Sequence, residues 1–170
     1  MSNAPLSSEN VAPILGSAIK AGLIAGAVFL ALEMLLVWLA MGMNPFAPPH
    51  MIAAIVMGPE VLPGPNVVPG SDPGVIAVAM LIHFVLAVAL AFVFKLIAER
   101  LKLNGAILLA AGVVFGLVVY AINFYGMTAV FPWFAMARNW VGILAHAAFG
   151  LVIAYVLMPR ASVKGVQQRV

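Results

Sequence analysis

The chain has 170 residues, of which 65% are hydrophobic and 8% are charged, and its formal net charge is +3. Soluble domains carry about 25% charged residues, and a fold of this length has too little interior to bury so much apolar surface. The composition therefore excludes a soluble fold and predicts one all-α membrane domain over residues 1–170. The lack of cysteine excludes disulfides, thiolate metal sites and cysteine nucleophiles.

Four apolar runs reach the length of about 20 residues that a helix needs to cross a bilayer. They predict a four-helix transmembrane bundle with spans at residues 13–41, 75–98, 106–126 and 139–158. The polar residues 1–12 predict a loose tail. Residues 42–74 hold eight prolines and five glycines, so they predict an outer loop. Within that loop, the apolar residues 51–57 predict a short interfacial helix.

The basic residues are distributed unequally between the two ends of the predicted bundle. Arg138 alone falls at the outer end, and the other seven fall at the opposite end: Lys20, Lys95, Arg100, Lys102, Arg160, Lys164 and Arg169. By the positive-inside rule, both termini are expected in the cytoplasm. We expect a multi-pass protein of a bacterial inner (plasma) membrane.

Small residues recur at four-residue spacing along one face of each predicted helix. Such faces allow close packing of membrane helices, and two of the pairs form GxxxG motifs. The rows are Gly22 and Gly26; Ala79, His83, Ala87 and Ala91; Gly112 and Gly116; and Gly142, His146, Gly150 and Ala154.

Polar residues occur on these faces at overlapping depths in the outer half of the bundle. Glu33 lies eight residues before the end of its helix, which is about 12 Å at 1.5 Å per residue. The others are His83, Tyr120, Asn123 and His146. Because membrane-embedded polar groups usually face the protein interior, we expect one common polar cluster.

Several interpretations of this cluster stay open at the level of sequence. The side chains can simply hydrogen-bond to one another and fix the packing. Glu33, His83 and His146 can instead ligate a divalent metal, since imidazole and carboxylate suit Fe(II), Zn(II) or Cu(II). A haem b held by His83 and His146, with Arg138 near a propionate, is a further hypothesis. A proton relay is disfavoured because the inner half has almost no polar residues.

The aromatic connector between the third and fourth helices also has more than one interpretation. Residues 127–140 are typical of an interfacial belt. Together with residues 51–57, they can also form a lid or a docking surface for a membrane partner. A homo-oligomer is possible on the same grounds, nucleic-acid binding is not expected, and His50 is expected to be solvated.

Three segments carry a resemblance to a known family. They are AGLIAG in the first helix, LKLNGA before the third and NWVGILAHAAFG at the start of the fourth. In these segments the chain resembles small bacterial inner-membrane proteins of the YagU-like kind, and His83 and His146 are the positions that look shared. The proline-rich loop departs from that pattern. The resemblance implies a four-helix fold and no activity. From the small size of the chain and the aromatic and methionine residues of the connector, we expect a non-enzymatic accessory or structural component of a membrane complex.

Overall fold

The computed structural model describes residues 8–64 and 67–159, and these residues form helices and connecting loops without a β-strand. Four of the helices are long and apolar enough to cross a membrane. The all-α fold and the four-helix bundle are therefore confirmed. The helices are α1 (Ser8–Met41), α2 (Ala47–Met57), α3 (Pro73–Arg100), α4 (Gly105–Ala121) and α5 (Trp140–Leu157).

The helix boundaries differ from the predicted ones at several ends. Helix α1 begins at Ser8, so residues 8–12 are helical rather than a loose tail, while residues 1–7 lie outside the described part. Helix α3 begins two residues early because the Asp72 side chain accepts hydrogen bonds from the backbone N–H of Gly74 (2.7 Å) and of Val75 (3.4 Å). Such a cap satisfies N–H groups that have no partner within the helix.

Helix α2 also begins earlier than predicted, at Ala47 instead of residue 51. Pro48 and Pro49 fall in its first turn, where a backbone N–H would have no helical partner and proline is tolerated. The two prolines therefore start this helix rather than precede it. Gly58, with φ of 92°, ends it, and a short 3-10 turn follows at Pro59–Val61.

His50 is buried, with 1% of its surface exposed, so the expectation that it is solvated is wrong. Its Nδ1–H donates to the carbonyl oxygen of Val61 at 2.7 Å, and its Nε2 accepts from the N–H of Gly70 at 3.1 Å. The ring thus joins α2 to two points of the loop that follows it.

The four long helices are arranged in the order α3, α1, α5, α4. Helices α1 and α5 are central neighbours, α3 packs on α1, and α4 packs on α5. Helices α3 and α4 contact each other sparsely, although they are consecutive along the chain. Helix α2 packs on α3, at the end of the bundle where α1 ends and α3 begins, which is called here the α2 end.

Small residues allow the closest helix contacts. A Cβ atom on Gly22 would lie 2.5 Å from the Cα of Val88, so the α1 and α3 backbones are in direct contact. A Cβ on Gly150 of α5 would overlap the carbonyl oxygen of Gly112 in α4. Because α5 is central, it also buries a second face, which the sequence did not reveal: Val141, Ala145, Phe149 and Ile153.

Candidate functional site

A cavity of about 410 Å³ lies among the helices toward the α2 end of the bundle. This volume is within the range of about 300–1,000 Å³ that is usual for small-molecule sites. Its walls are mainly aliphatic and aromatic. Among the described residues, four polar side chains line it, namely Glu33, His83, Asn123 and His146.

The structure brings together four of the six residues that the sequence singled out. Glu33 comes from α1, His83 from α3, His146 from α5, and Asn123 from the turn that continues α4. Arg138 does not line the cavity, and neither does Tyr120, although the Tyr120 ring packs on His146 with 5.5 Å between ring centroids.

His83 is fixed by a contact with the backbone of α1. Its Nε2 lies 2.9 Å from the carbonyl oxygen of Gly26. A carbonyl oxygen only accepts, so the proton of the neutral ring is on Nε2, and Nδ1 is left as an acceptor. Gly26 permits this geometry, since a Cβ there would lie 3.3 Å from Nε2 and 3.0 Å from the Cβ of Ala87.

His146 is held within its own helix and by α4. Its Nδ1–H donates to the carbonyl oxygen of Gly142, one turn earlier, at 2.8 Å. Its Nε2 therefore accepts, and the side-chain amide of Asn123 donates to it at 3.3 Å. Asn123 belongs to a π-helical turn, Ile122–Gly126, that follows α4. Such turns are frequent at functional sites.

Glu33 differs from the other three polar residues because its carboxyl group has no protein partner among the described residues. The side chain is 7% exposed and lines the cavity, yet it forms no ion pair or hydrogen bond there. An ionised carboxylate without a partner in an apolar interior costs several kcal/mol or more, so an ionised Glu33 requires a ligand, an ion or water beside it. Glu33 is therefore the residue that most directly indicates a binding site.

Phe29 is a central residue of the cavity that the sequence analysis did not identify. Its ring contacts the imidazoles of His83 and His146, with centroid distances of 5.5 Å and 4.9 Å. The sequence spacing could have identified Phe29, because it lies three residues after Gly26 and four before Glu33, on the same helix face.

Arg138 stabilises the connector between α4 and α5. Its Nε–H donates to the carbonyl oxygen of Phe124 at 2.6 Å, and its guanidinium lies 4.4 Å from the centroid of the Tyr125 ring. Both partners belong to the π-helical turn. In this arrangement Arg138 fixes the end of α4, and its predicted role beside a haem propionate stays a prediction.

Two segments cover the cavity at the α2 end. Met51 and Ile55 come from α2, and Phe131 and Phe134 come from the connector. The indole N–H of Trp133 donates to the carbonyl oxygen of Met51 at 3.1 Å, which ties the two segments together. These are the same two segments that the sequence indicated as a lid or a docking surface.

The cavity opens sideways, between α3 and α4. Leu86 of α3 and Ile122 after α4 line it while 48% and 54% of their surfaces are exposed. One turn beyond Leu90, which also lines the cavity, the rings of Phe94 and Phe115 lie 5.2 Å apart and join the two helices. The opening between Leu86 and Ile122, called here the mouth, therefore lies between exposed apolar side chains of two helices that are apolar enough to cross a membrane.

A metal site is not preformed within the described residues. They contain no group of three or more His, Asp or Glu side chains arranged to hold an ion. The Nε2 atoms of His83 and His146 are both hydrogen-bonded, so haem ligation through these atoms requires both bonds to break. The metal and haem interpretations stay predictions.

Comparisons with protein-family models, with curated proteins and with solved structures found no match to this chain. The resemblance to YagU-like proteins therefore stays a prediction.

Proposed function

We propose that this chain is a non-enzymatic membrane protein that binds a small lipid-soluble molecule in the cavity beneath α2. One observation carries the proposal: Glu33 is only 7% exposed, and its carboxyl group has no protein partner among the described residues, although it lines an apolar cavity of small-molecule size. Small-molecule sites typically combine apolar walls with a few polar groups that orient the ligand. His83, Asn123 and His146 supply the remaining polar groups.

The ligand reaches this site from the bilayer. The mouth lies between two exposed apolar side chains, Leu86 and Ile122, on a surface suited to lipid. The cover formed by α2 and the connector lies over the aqueous side. A molecule that partitions into the membrane thus enters between α3 and α4.

A direct test is to fill the mouth with a larger side chain. Leu86→Trp places an indole at the mouth, whereas Leu81→Trp makes the same change on α3 at a residue that is 67% exposed and does not line the cavity. Binding of 2-naphthylmethanol to the protein in nanodiscs is measured by fluorescence. We expect Leu86→Trp to weaken binding about fivefold or more, since a bulky group in a filled site costs about 1–3 kcal/mol. Equal binding by both variants contradicts the proposal.

The protein is further proposed to act as an accessory or structural component of a membrane complex. Residues 127–140 and 51–57 supply the contact surface for a membrane-protein partner or for a second copy of the chain. In this proposal the membrane is a bacterial inner membrane, and both termini are cytoplasmic. The native chain has no cysteine, so single cysteines introduced at Glu60 and at Lys102 report their sides without background labelling. Labelling of Glu60→Cys from the cytoplasm contradicts this orientation.

The alternative proposal is a haem b or divalent-metal protein that uses His83 and His146, with Glu33 as a third ligand. It is supported by the position of all three side chains on one cavity. An absorption spectrum with a Soret band that disappears in His83→Ala and in His146→Ala supports haem. A colourless protein without bound metal by elemental analysis removes both versions.

A further inference from the structure

The unused hydrogen-bonding groups of the cavity are mostly acceptors, and this points to the chemical class of its ligand. We infer that the cavity selects a lipophilic amine, bound as its ammonium ion, with the ammonium group at Glu33 and the apolar body among the aromatic rings. The inference rests on the proposed function and specifies which molecules the cavity accepts.

The two histidines determine this acceptor character through their protein hydrogen bonds. In the neutral imidazole of His83, Nε2–H donates to the carbonyl oxygen of Gly26, so Nδ1 can only accept. In His146, Nδ1–H is used by Gly142 and Nε2 already accepts from Asn123. Neither neutral ring therefore has a donor left for a ligand.

Glu33 adds to the same excess of acceptors, whereas Asn123 is balanced. The Asn123 amide uses one of its two N–H groups on His146, so it retains one donor and the acceptor Oδ1. The carboxylate of Glu33 offers two further acceptor oxygens and a negative charge. A ligand that brings several donors and a positive charge satisfies these groups, whereas an anionic head adds repulsion.

The apolar walls suit a cation as well as a hydrocarbon body. Phe29, Phe124 and Phe149 line the cavity next to the polar residues. The faces of aromatic rings attract ammonium groups, and the attraction grows when the site is desolvated. The rings and the carboxylate thus favour the same type of head group.

Three probes with one naphthalene body separate the contributions of charge and of shape. They are 2-naphthylmethylammonium, 2-naphthylmethanol and 2-naphthoate, whose binding to the full-length protein in neutral-lipid nanodiscs is measured by fluorescence. We expect the ammonium probe to bind about tenfold or more tightly than the alcohol, because hydrogen bonds between charged groups are the stronger ones. We expect 2-naphthoate to bind weakest.

Glu33→Gln removes the negative charge and keeps the shape of the side chain. We expect it to abolish the preference for the ammonium probe while 2-naphthylmethanol binding changes by less than about threefold. Glu60→Gln, the same change at an exposed residue of the loop after α2, is the matched control and keeps the preference. The alcohol also reports whether Glu33→Gln is folded.

The outcomes distinguish this inference from the proposed function. A preference for ammonium that depends on Glu33 supports the inference. Equal binding of the alcohol and the ammonium, or a preference unchanged in Glu33→Gln, overturns it and leaves a binding cavity without charge selection. If none of the probes binds the wild-type protein, both the inference and the proposed function fail. If Glu33→Gln does not fold, the comparison of the three probes on the wild-type protein decides, and equal binding of the ammonium and the alcohol overturns the inference.

Discussion

The imidazole of His83 donates from Nε2 to the backbone carbonyl oxygen of Gly26, across the contact between α3 and α1. The same bond joins the two helices and leaves Nδ1 as the ring nitrogen that can accept a hydrogen bond from a ligand. Packing and ligand selection thus depend on one residue. The small residue at position 26 makes the bond possible, since a Cβ there would be 3.3 Å from Nε2.

The contact between α1 and α3 predicts a large difference between two glycines of α1. Gly22→Ala would place a Cβ 2.5 Å from the Cα of Val88, so the helices must separate, at a cost of about 1–3 kcal/mol. Gly16→Ala is the control, because nothing lies within 4 Å of its Cβ position. The free energy of unfolding in bicelles measures both changes. Equal stability of the two variants contradicts the contact.

The hydrogen bond between Asn123 and His146 predicts a measurable coupling between these residues. In a double-mutant cycle with Asn123→Leu and His146→Phe, we expect an interaction energy of about 0.6 kcal/mol, the average for such bonds in membrane helices. The control cycle pairs Asn123→Leu with Trp38→Phe, at a residue of α1 that is 58% exposed and does not line the cavity, so the coupling should be near zero. Equal values in both cycles argue against the bond.

The sequence predicted the positions of the polar residues better than it predicted their surroundings. Helical periodicity places Glu33, His83 and His146 on the small-residue faces, and the structure puts all three on one cavity. The π-helical turn that presents Asn123 was not predictable, since it departs from the 3.6-residue repeat that the prediction assumed. The burial of His50 was missed because its partner Gly70 is 20 residues away along the chain.

The arrangement of the central helices could not be derived from periodicity either. The row of Gly142, His146 and Gly150 indicated one packing face on α5. The second face, with Ala145 and Phe149, contains larger residues that resemble a lipid-facing surface in sequence. Which of two apolar faces is buried depends on how many neighbours a helix has, and that is a property of the whole bundle.

The bond from Trp133 to α2 predicts a role in keeping the cavity covered. Trp133→Phe removes the N–H that donates to the Met51 carbonyl oxygen. The loss of one hydrogen bond costs about 1 kcal/mol, so the population of molecules with an open cover should rise about fivefold. Trp38→Phe, at a residue 58% exposed on α1, is the control. The measurement is the rate at which a water-soluble maleimide labels a cysteine introduced at Ile55. An unchanged rate in Trp133→Phe means that the bond does not hold the cover.

The two bonds of His50 predict that this ring holds the loop between α2 and α3. His50→Phe keeps the size of the side chain but leaves Val61 and Gly70 without their partner, so local opening of the loop should increase about tenfold or more. Limited proteolysis in the loop measures the opening, and Glu60→Gln is the control in the same segment. Cleavage at the rate of the wild type shows that other contacts hold the loop.

The order α3, α1, α5, α4 has a mechanical consequence. The chain divides at the turn before α4 into two antiparallel hairpins, and these meet through α1 and α5 while their outer helices touch only sparsely. If one hairpin rotates against the other about the contact between α1 and α5, the gap between Leu86 and Ile122 changes in width. The packing inside each hairpin stays intact during such a rotation. The fold is therefore suited to widening or narrowing a gap between two exposed apolar side chains.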